Sequence, residues 1–194
     1  GFGIFIMTVL PLLMPSYGEA TTLSGMLAMV TSVMMVIRYY KYLQWKKLIP
    51  ILIIFLIVSF IAIQIVTMLD RAQLKHILGV TLIVAAIYFW FFSERVTIKP
   101  NMATQGFLGT ISGFMGGFFG MQGPPAVLYF IEVAKQKEEY IALAQTFFVI
   151  GNFMMTVFRW RAGFVTAEVL TDWLWALPTV LLGTWVGSIV FRHL

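Results

Sequence analysis

One short segment of this chain, Gly120-Met-Gln-Gly-Pro-Pro125, has the residue types that point most directly to chemistry. Two consecutive prolines lack backbone N–H groups and clash with the preceding turn, so an α-helix cannot run through them. Because proline is well tolerated in a first helical turn, the segment predicts a helix that ends near Gly120 and another that begins near Pro124. The free N–H groups and partial positive charge at such a helix start attract anions. The alternative is a proline kink that serves only packing.

Neutral amide side chains form a second set of candidates, because they stand within apolar stretches. Gln122 lies at the predicted break, and Asn152 lies in mid-helix with Gln145 two turns before it. Hydrogen bonds between membrane helices average only about 0.6 kcal/mol. We therefore favour contact with a ligand over a bond between helices for Gln122 and Asn152.

Hydroxyl side chains are weaker candidates, because Ser and Thr often bond the backbone of their own helix. We favour that local bond for Thr31, Ser32 and Thr146. Thr31 is kept as a candidate together with Thr8 of the same half of the chain. The substrate-binding candidates are therefore Gln122, Gly123, Pro124, Pro125, Asn152, Gln145, Thr8 and Thr31.

The charged residues give little to this site. No Asp or Glu lies in the core of an apolar stretch, so a proton relay through carboxylates has no support. Arg38 and Arg159 stand at the ends of such stretches, and we interpret them as interfacial anchors, with an anion vestibule as the alternative. The predicted site thus contains no fixed cation, and backbone N–H groups and neutral side chains hold the anion.

The sequence lacks the usual signatures of a catalytic site. Neither Gly-x-Ser-x-Gly nor His-Glu-x-x-His occurs, there is no cysteine, and His76 and His193 lie near the ends of apolar stretches. We therefore expect no enzyme, no metal site and no cofactor. The alternative function from another class is a non-transporting membrane scaffold or partner subunit, which would not need the Gly-Pro-Pro break.

The elements that must position these residues are membrane helices. The chain is 60% hydrophobic and 11% charged, against about 25% charged residues in a soluble domain. A membrane-spanning helix needs about 20 apolar residues, and six uncharged stretches meet that length while a seventh is too long for one span. The stretches are Gly1–Gly18, Ala20–Ile37, Leu48–Leu69, Ile77–Ser93, Pro100–Ile131, Tyr140–Phe158 and Trp173–Phe191.

These stretches predict an all-α integral membrane protein with about seven transmembrane helices. A break in a helix within lipid must be buried in protein or line a watery cavity, because each unsatisfied backbone group costs several kcal/mol. Broken helices near the membrane midplane commonly mark the binding sites of transporters. We therefore favour a binding site over a packing kink at Gly120–Pro125.

The cations predict how the chain lies in the membrane. Counting one crossing per stretch divides them between two sides, and the positive-inside rule places the richer set in the cytoplasm. The richer set is Arg38, Lys41, Lys46, Lys47, Arg95, Lys99, Arg159 and Arg161, and the other is Arg71, Lys75, Lys135, Lys137 and Arg192. We therefore expect a multi-pass protein that lies in the cell (inner) membrane.

A weak internal duplication organises the chain. Gly3-Ile-Phe5 with Pro11 resembles Gly117-Phe-Phe119 with Pro125, and Val36-Ile-Arg-Tyr39 resembles Val157-Phe-Arg-Trp160. In the same order, Trp45, Pro50 and Ser59 match Trp173, Pro178 and Gly187. We predict a first membrane repeat at 1–92, a linker at 93–101 and a second repeat at 102–194, each half with a broken or re-entrant glycine–proline segment. The parent protein would have eight spans in two four-helix repeats that run parallel. That count fails if Pro100–Ile131 doubles back as a hairpin.

A row of glycines precedes the break. Gly109, Gly113 and Gly117 are spaced by four residues. This spacing is typical of a small-residue face that lets another helix approach closely.

Several of these segments resemble one known family. Gly120–Tyr129 and Ala144–Asn152 resemble second-repeat signatures of the TauE/SafE family of sulfite exporters, and Leu177-Pro178 with Gly183 and Gly187 matches its next helix. The resemblance implies membrane transport of sulfite, sulfonates, sulfoacetate-like compounds or related oxyanions. It also implies a small anionic substrate and the lipid bilayer as partners, with no nucleic acid, and it leaves homodimer formation open. An inside-negative potential would by itself favour export of an anion.

Overall fold

The computed structural model describes residues 6, 9–10, 13–14, 16–70, 72–74, 76–77, 79–81, 83–84 and 101–193. For residues 185 and 188–193 it describes the backbone only. Every regular element within these ranges is helical, so the predicted all-α fold is confirmed there. The elements are α1 (Tyr17–Tyr39), a 3-10 turn (Tyr40–Tyr42), α2 (Trp45–Val66), α3 (Met102–Phe119), α4 (Gly123–Val133), α5 (Lys137–Arg161) and α6 (Ala167–His193).

Three of the described helices are long and apolar enough to cross a membrane. They are α1 with its following turn (Tyr17–Tyr42), α2 (Trp45–Val66) and α5 (Lys137–Arg161). On α2 the side chains of Ile53, Ile57 and Ile61 are 51%, 57% and 52% exposed. This outward apolar stripe at a spacing of four residues suits a helix that faces lipid. The larger count of about seven spans depends partly on residues outside the described ranges.

The glycine row packs α3 tightly against α2. A Cβ atom placed on Gly109 would meet Ile51 and Ile54, one on Gly113 would meet Phe55 and Val58, and one on Gly117 would meet Ser59 and Ala62. The prediction of a packing face is therefore confirmed. Because residue numbers rise together on both helices, α2 and α3 run parallel.

The helix α4 turns back along α3. The hydroxyl of Ser112 donates to the carbonyl of Gln122, and Nε2 of Gln105 donates to the hydroxyl of Tyr129 over 2.8 Å. The lower-numbered residue of α3 pairs with the higher-numbered residue of α4, so the two helices form an antiparallel hairpin. The region 100–131 therefore runs along the bundle twice, and the count of one crossing for it is wrong.

The hairpin changes the side on which later loops lie. Nζ of Lys47, in the first turn of α2, donates to the carbonyl of Val133 over 2.7 Å and forms an ion pair with Glu139. The loop 134–136 and the start of α5 therefore lie at the same end of the bundle as Lys47. We call this the Lys47 end. The predicted placement of Lys135 and Lys137 on the opposite side is wrong.

The other end of the bundle carries the start of α1 and the end of α5. The ring of Phe164 packs directly on Gly18, and Arg159 contacts the carbonyl of Thr21. We call this the Phe164 end. Arg159 and Arg161 were predicted to share a side with Lys47, and that prediction is wrong because each loop after the hairpin changes side.

These contacts also show that α1 and α5 run in opposite directions. They are the helices that the Val36–Tyr39 and Val157–Trp160 matches pair with each other. The duplication itself stays a prediction, but the parallel orientation that we attached to it does not hold for this pair. Matched helices of opposite direction are what an inverted-topology repeat contains.

Candidate functional site

The break after α3 has a defined backbone geometry. Gly120 has a φ of 67°, in the left-handed region that favours glycine. Its N–H bonds the carbonyl of Gly116 over 2.9 Å, and the N–H of Met121 bonds that of Met115 over 3.2 Å. This pattern ends a helix by satisfying its last carbonyls. After Met121 and Gln122, the next helix begins at Gly123 with Pro124 and Pro125 in its first turn.

The start of α4 lies half-way along the two long helices beside it. Gln122 is held level with Ser112 by the hydrogen bond from the Ser112 hydroxyl. Its side chain contacts Gly151, near the middle of α5, and Phe55 in the middle of α2 approaches the same glycine. The break therefore stands deep in the bundle, between α2, α3 and α5.

The side chain of Gln122 is buried without a partner for its oxygen. The residue is 4% exposed, and Oε1 forms no hydrogen bond in the described part of the chain. A Cβ atom on Gly151 would lie 2.8 Å from this oxygen, so the absence of a side chain there makes room for the amide. Because Pro124 and Pro125 have no N–H, the first turn of α4 retains only the donors of Gly123 and Ala126.

Asn152 follows Gly151 in α5 and is also buried, at 3% exposure. Its side-chain amide forms no hydrogen bond with any described residue, whereas buried amides normally have partners. Its Oδ1 atom lies 3.4 Å from the position that a Cβ on Gly25 would take. Gln122 thus contacts Gly151 of α5, and Asn152, the next residue of α5, lies beside Gly25 of α1.

The remaining predicted residues differ in their surroundings. Gln145 is partly buried on α5, two turns before Asn152. Thr31 donates from Oγ1 to the carbonyl of Ala28 over 2.9 Å, so its predicted bond to its own helix is confirmed. Thr146 is different, because its hydroxyl is buried without a partner and the predicted local bond is absent. Thr8 lies outside the described residues.

Arg159 corrects the sequence interpretation most clearly. It was interpreted as an interfacial anchor, and the site was expected to contain no fixed cation. The residue is instead 2% exposed, and its guanidinium lies between α1, α3 and α5. Nη1 donates to the carbonyl of Thr21 over 3.1 Å, and Nη2 donates to those of Gly116 and Gly117 over 2.9 and 3.2 Å. Arg38, its partner in the duplication, is exposed beside the ring of Tyr39.

The sequence feature that could have indicated the burial of Arg159 is its spacing from other buried residues of α5. Asn152, Met155 and Arg159 are three and four residues apart, so they share one face of α5. All three are buried. A cation on the face that carries a buried amide points inward, even when it stands two residues from the helix end.

A cleft of about 260 Å³ opens at the Phe164 end, lined in part by Tyr17, Gly18, Val66 and Phe164. The hydroxyl of Tyr17 is buried there without a hydrogen-bond partner. Thr21, whose carbonyl holds Arg159, follows Tyr17 by one helical turn on the same face. The cleft therefore lies about one turn of α1 from the buried guanidinium.

Comparison with known proteins identifies the family. The family described as Sulfite exporter TauE/SafE matches residues 1–194. The chain belongs to this family. It is a membrane protein of a transporter family, with the lipid bilayer as its surroundings and a small molecule as the expected class of substrate.

A curated relative is similar over part of the chain. The probable membrane transporter protein of Methanocaldococcus jannaschii is 30% identical over 112 residues, which cover 55% of this chain and 42% of that protein. The match thus spans less than half the length of the relative. No solved structure gave a significant match.

Proposed function

We propose that this protein exports small sulfur-containing anions, such as sulfite, sulfonates and sulfoacetate-like compounds, across the cell (inner) membrane by alternating access. One observation carries the proposal: a helix begins in the middle of the bundle at the buried amide of Gln122, whose oxygen lacks a hydrogen-bond partner in the described part of the chain. Buried polar groups are normally satisfied, so an unpartnered amide at a helix start suits a ligand. Membership of the sulfite exporter family supports the sulfur-containing class.

The site would hold its anion weakly. The start of α4 contributes partial positive charge worth about 0.3–2 kcal/mol, and the prolines leave it few N–H donors. The amides of Gln122 and Asn152 offer further N–H donors, and Gly123, Pro124 and Pro125 shape the wall. Weak binding suits a carrier, because the anion must be released on the far side.

The charge distribution supports an orientation. Six described cations, Arg38, Lys41, Lys46, Lys47, Lys135 and Lys137, lie at or near the Lys47 end. By the positive-inside rule this end would face the cytoplasm. The cleft beside Tyr17 would then open on the outer side, where an exported anion leaves. No carboxylate lies near the break among the contacts described, so the membrane potential is the default driving force.

The proposal is tested by reconstituting the purified protein in liposomes loaded with sulfite, taurine, a benzenesulfonate, sulfate or chloride. We expect protein-dependent release of the sulfur oxyanions and little release of chloride. Release at the rate of protein-free liposomes for every anion would overturn the proposal and favour a non-transporting membrane partner. Selective release of chloride would instead overturn the substrate class.

A further inference from the structure

Arg159 is a buried cation whose hydrogen bonds all go to backbone carbonyls. Its guanidinium carries five N–H donors, and the bonds to Thr21, Gly116 and Gly117 use three of them. One hydrogen on Nη1 and the N–H of Nε have no bonded partner in the described part of the chain. The residue, which is 2% exposed, therefore has donors to spare.

The positive charge of Arg159 is only partly compensated. In the part of the chain that the structure describes, the ion pair is that of Lys47 with Glu139, at the other end of the bundle. The carbonyls of Gly116 and Gly117 belong to the last turn of α3, whose dipole supplies roughly half a negative charge. Buried charges are normally paired, and cations inside membrane proteins commonly mark substrate or ion pathways.

The glycine at position 25 places Arg159 and Asn152 beside the same small space. A Cβ atom on Gly25 would lie 3.6 Å from Nη1 of Arg159 and 3.4 Å from Oδ1 of Asn152. Nη1 is the atom with an unused hydrogen, and the Asn152 amide is unbonded. The Asn152 atom that faces this space is Oδ1, an acceptor, and the amide turned by 180° would present its Nδ2 donors instead. A guanidinium and an amide N–H beside one space are complementary to an oxyanion.

Gly116 connects this space to the break. Its carbonyl accepts from Nη2 of Arg159, and a Cβ atom placed on it would lie 3.1 Å from Cβ of Gln122 and 3.2 Å from the sulfur of Met155. The guanidinium, Asn152 and Gln122 therefore belong to one contiguous cluster between α1, α3, α4 and α5.

We propose that Arg159 is the counter-ion of the transported anion, which binds beside Gly25 against the guanidinium and the Asn152 amide. This inference rests on the proposed function and deepens it, because it supplies the fixed positive charge that selects an oxyanion. The anion accepts the unused hydrogen of Nη1, while the bonds from Nη2 to the carbonyls of Gly116 and Gly117 hold the guanidinium in place beside the last turn of α3.

The test measures binding and flux of sulfite for the wild type, Arg159→Gln, Arg159→Lys and the control Arg38→Gln. Arg38 is the exposed residue that the duplication pairs with Arg159, so its loss removes the same charge outside the bundle. Binding is read by titration calorimetry on detergent-solubilised protein, flux in liposomes, and folding by circular dichroism and gel filtration. We expect Arg159→Gln to raise the Kd and the KM by about 10- to 100-fold. Arg159→Lys should recover part of this loss, and Arg38→Gln should change neither constant.

The possible outcomes separate the two proposals. A folded Arg159→Gln variant with wild-type Kd and KM, altered only in thermal stability, would show that Arg159 only caps α3. The proposed function would then stand without this inference. A wild type that neither binds nor carries sulfur oxyanions would overturn both. If Arg159→Gln does not fold, Gly25→Ala decides, because its methyl group would lie 3.6 Å from Nη1 and occupy the space in which the anion binds. Wild-type affinity in a folded Gly25→Ala variant would contradict the inference.

Discussion

At the scale of single residues, Asn152 offers the clearest test of the substrate site. Asn152 is 3% exposed and its amide forms no hydrogen bond with a described residue, so Asn152→Leu would remove the proposed ligand contact without breaking a hydrogen bond of the described structure. We expect sulfite flux to fall at least about tenfold, since one hydrogen bond to a charged group is worth about 1.5–3 kcal/mol. Expression and thermal stability should stay near those of the wild type. Flux is measured in liposomes at matched protein content.

The matched control is Thr31→Val. The hydroxyl of Thr31 is satisfied by the carbonyl of Ala28 in its own helix, so its loss should leave flux nearly unchanged. Wild-type flux in Asn152→Leu would remove that residue from the site. A loss in Thr31→Val as large as that in Asn152→Leu would show that the assay reports disturbed folding instead.

The sequence could predict which amides are buried, but not where the cation lies. Gln122 and Asn152 stand within apolar stretches, so their burial follows from composition alone. Arg159 stands two residues from the end of α5, where a side chain can extend to the interface or turn inward. That choice depends on the carbonyls of Thr21, Gly116 and Gly117, which reach it from two other helices. The spacing of Asn152, Met155 and Arg159 on one face of α5 favours the inward direction, but it does not contain these partners from other helices.

At the scale of helices, the packing of α3 on α2 can be tested at one glycine. A Cβ atom on Gly117 would lie 2.5 Å from that of Ala62 and 2.9 Å from the carbonyl oxygen of Ser59. Gly117→Ala should therefore force the two helices apart and lower the free energy of unfolding by about 1–3 kcal/mol. Thermal unfolding in detergent, followed by circular dichroism, measures the change.

Gly106→Ala on the same helix is the control. No described residue lies within 4 Å of a Cβ atom at that position. The substitution should leave stability unchanged or raise it by up to about 1 kcal/mol, because alanine favours the helix more than glycine does. Equal stability in Gly117→Ala and the wild type would contradict the close approach of α2 and α3.

The helix break was predictable, whereas the direction of the chain after it was not. Two prolines cannot continue a helix, so residue types alone locate the end of α3 and the start of α4. The reversal depends on the left-handed Gly120 and on contacts such as the Ser112–Gln122 and Gln105–Tyr129 hydrogen bonds. Those contacts join residues 10 and 24 positions apart, beyond the reach of a local pattern.

At the scale of the whole molecule, composition predicted the membrane but not the sidedness. An apolar surface follows directly from 60% hydrophobic and 11% charged residues. The side of the membrane on which a loop lies depends on the number of crossings before it. Because the α3–α4 hairpin was counted as one crossing, every later loop was predicted on the wrong side. The same hairpin makes the matched helices α1 and α5 antiparallel. The duplication itself stays a prediction, and with these two helices opposed it would be of the inverted type, which would place the break at the interface of the two halves, as in many transporters.

We propose that the protein exports a sulfur-containing anion along the membrane potential, and sulfite flux under a set potential would show this dependence. Liposomes loaded with sulfite and potassium receive valinomycin, which makes the interior negative as potassium leaves. Each elementary charge gains about 2.3 kcal/mol per 100 mV, or roughly a fifty-fold gradient. We predict that this potential accelerates protein-dependent sulfite efflux and that equal potassium on both sides abolishes the acceleration. Efflux equal to that of protein-free liposomes would contradict transport, and protein-dependent efflux that ignores the potential would contradict potential-driven export.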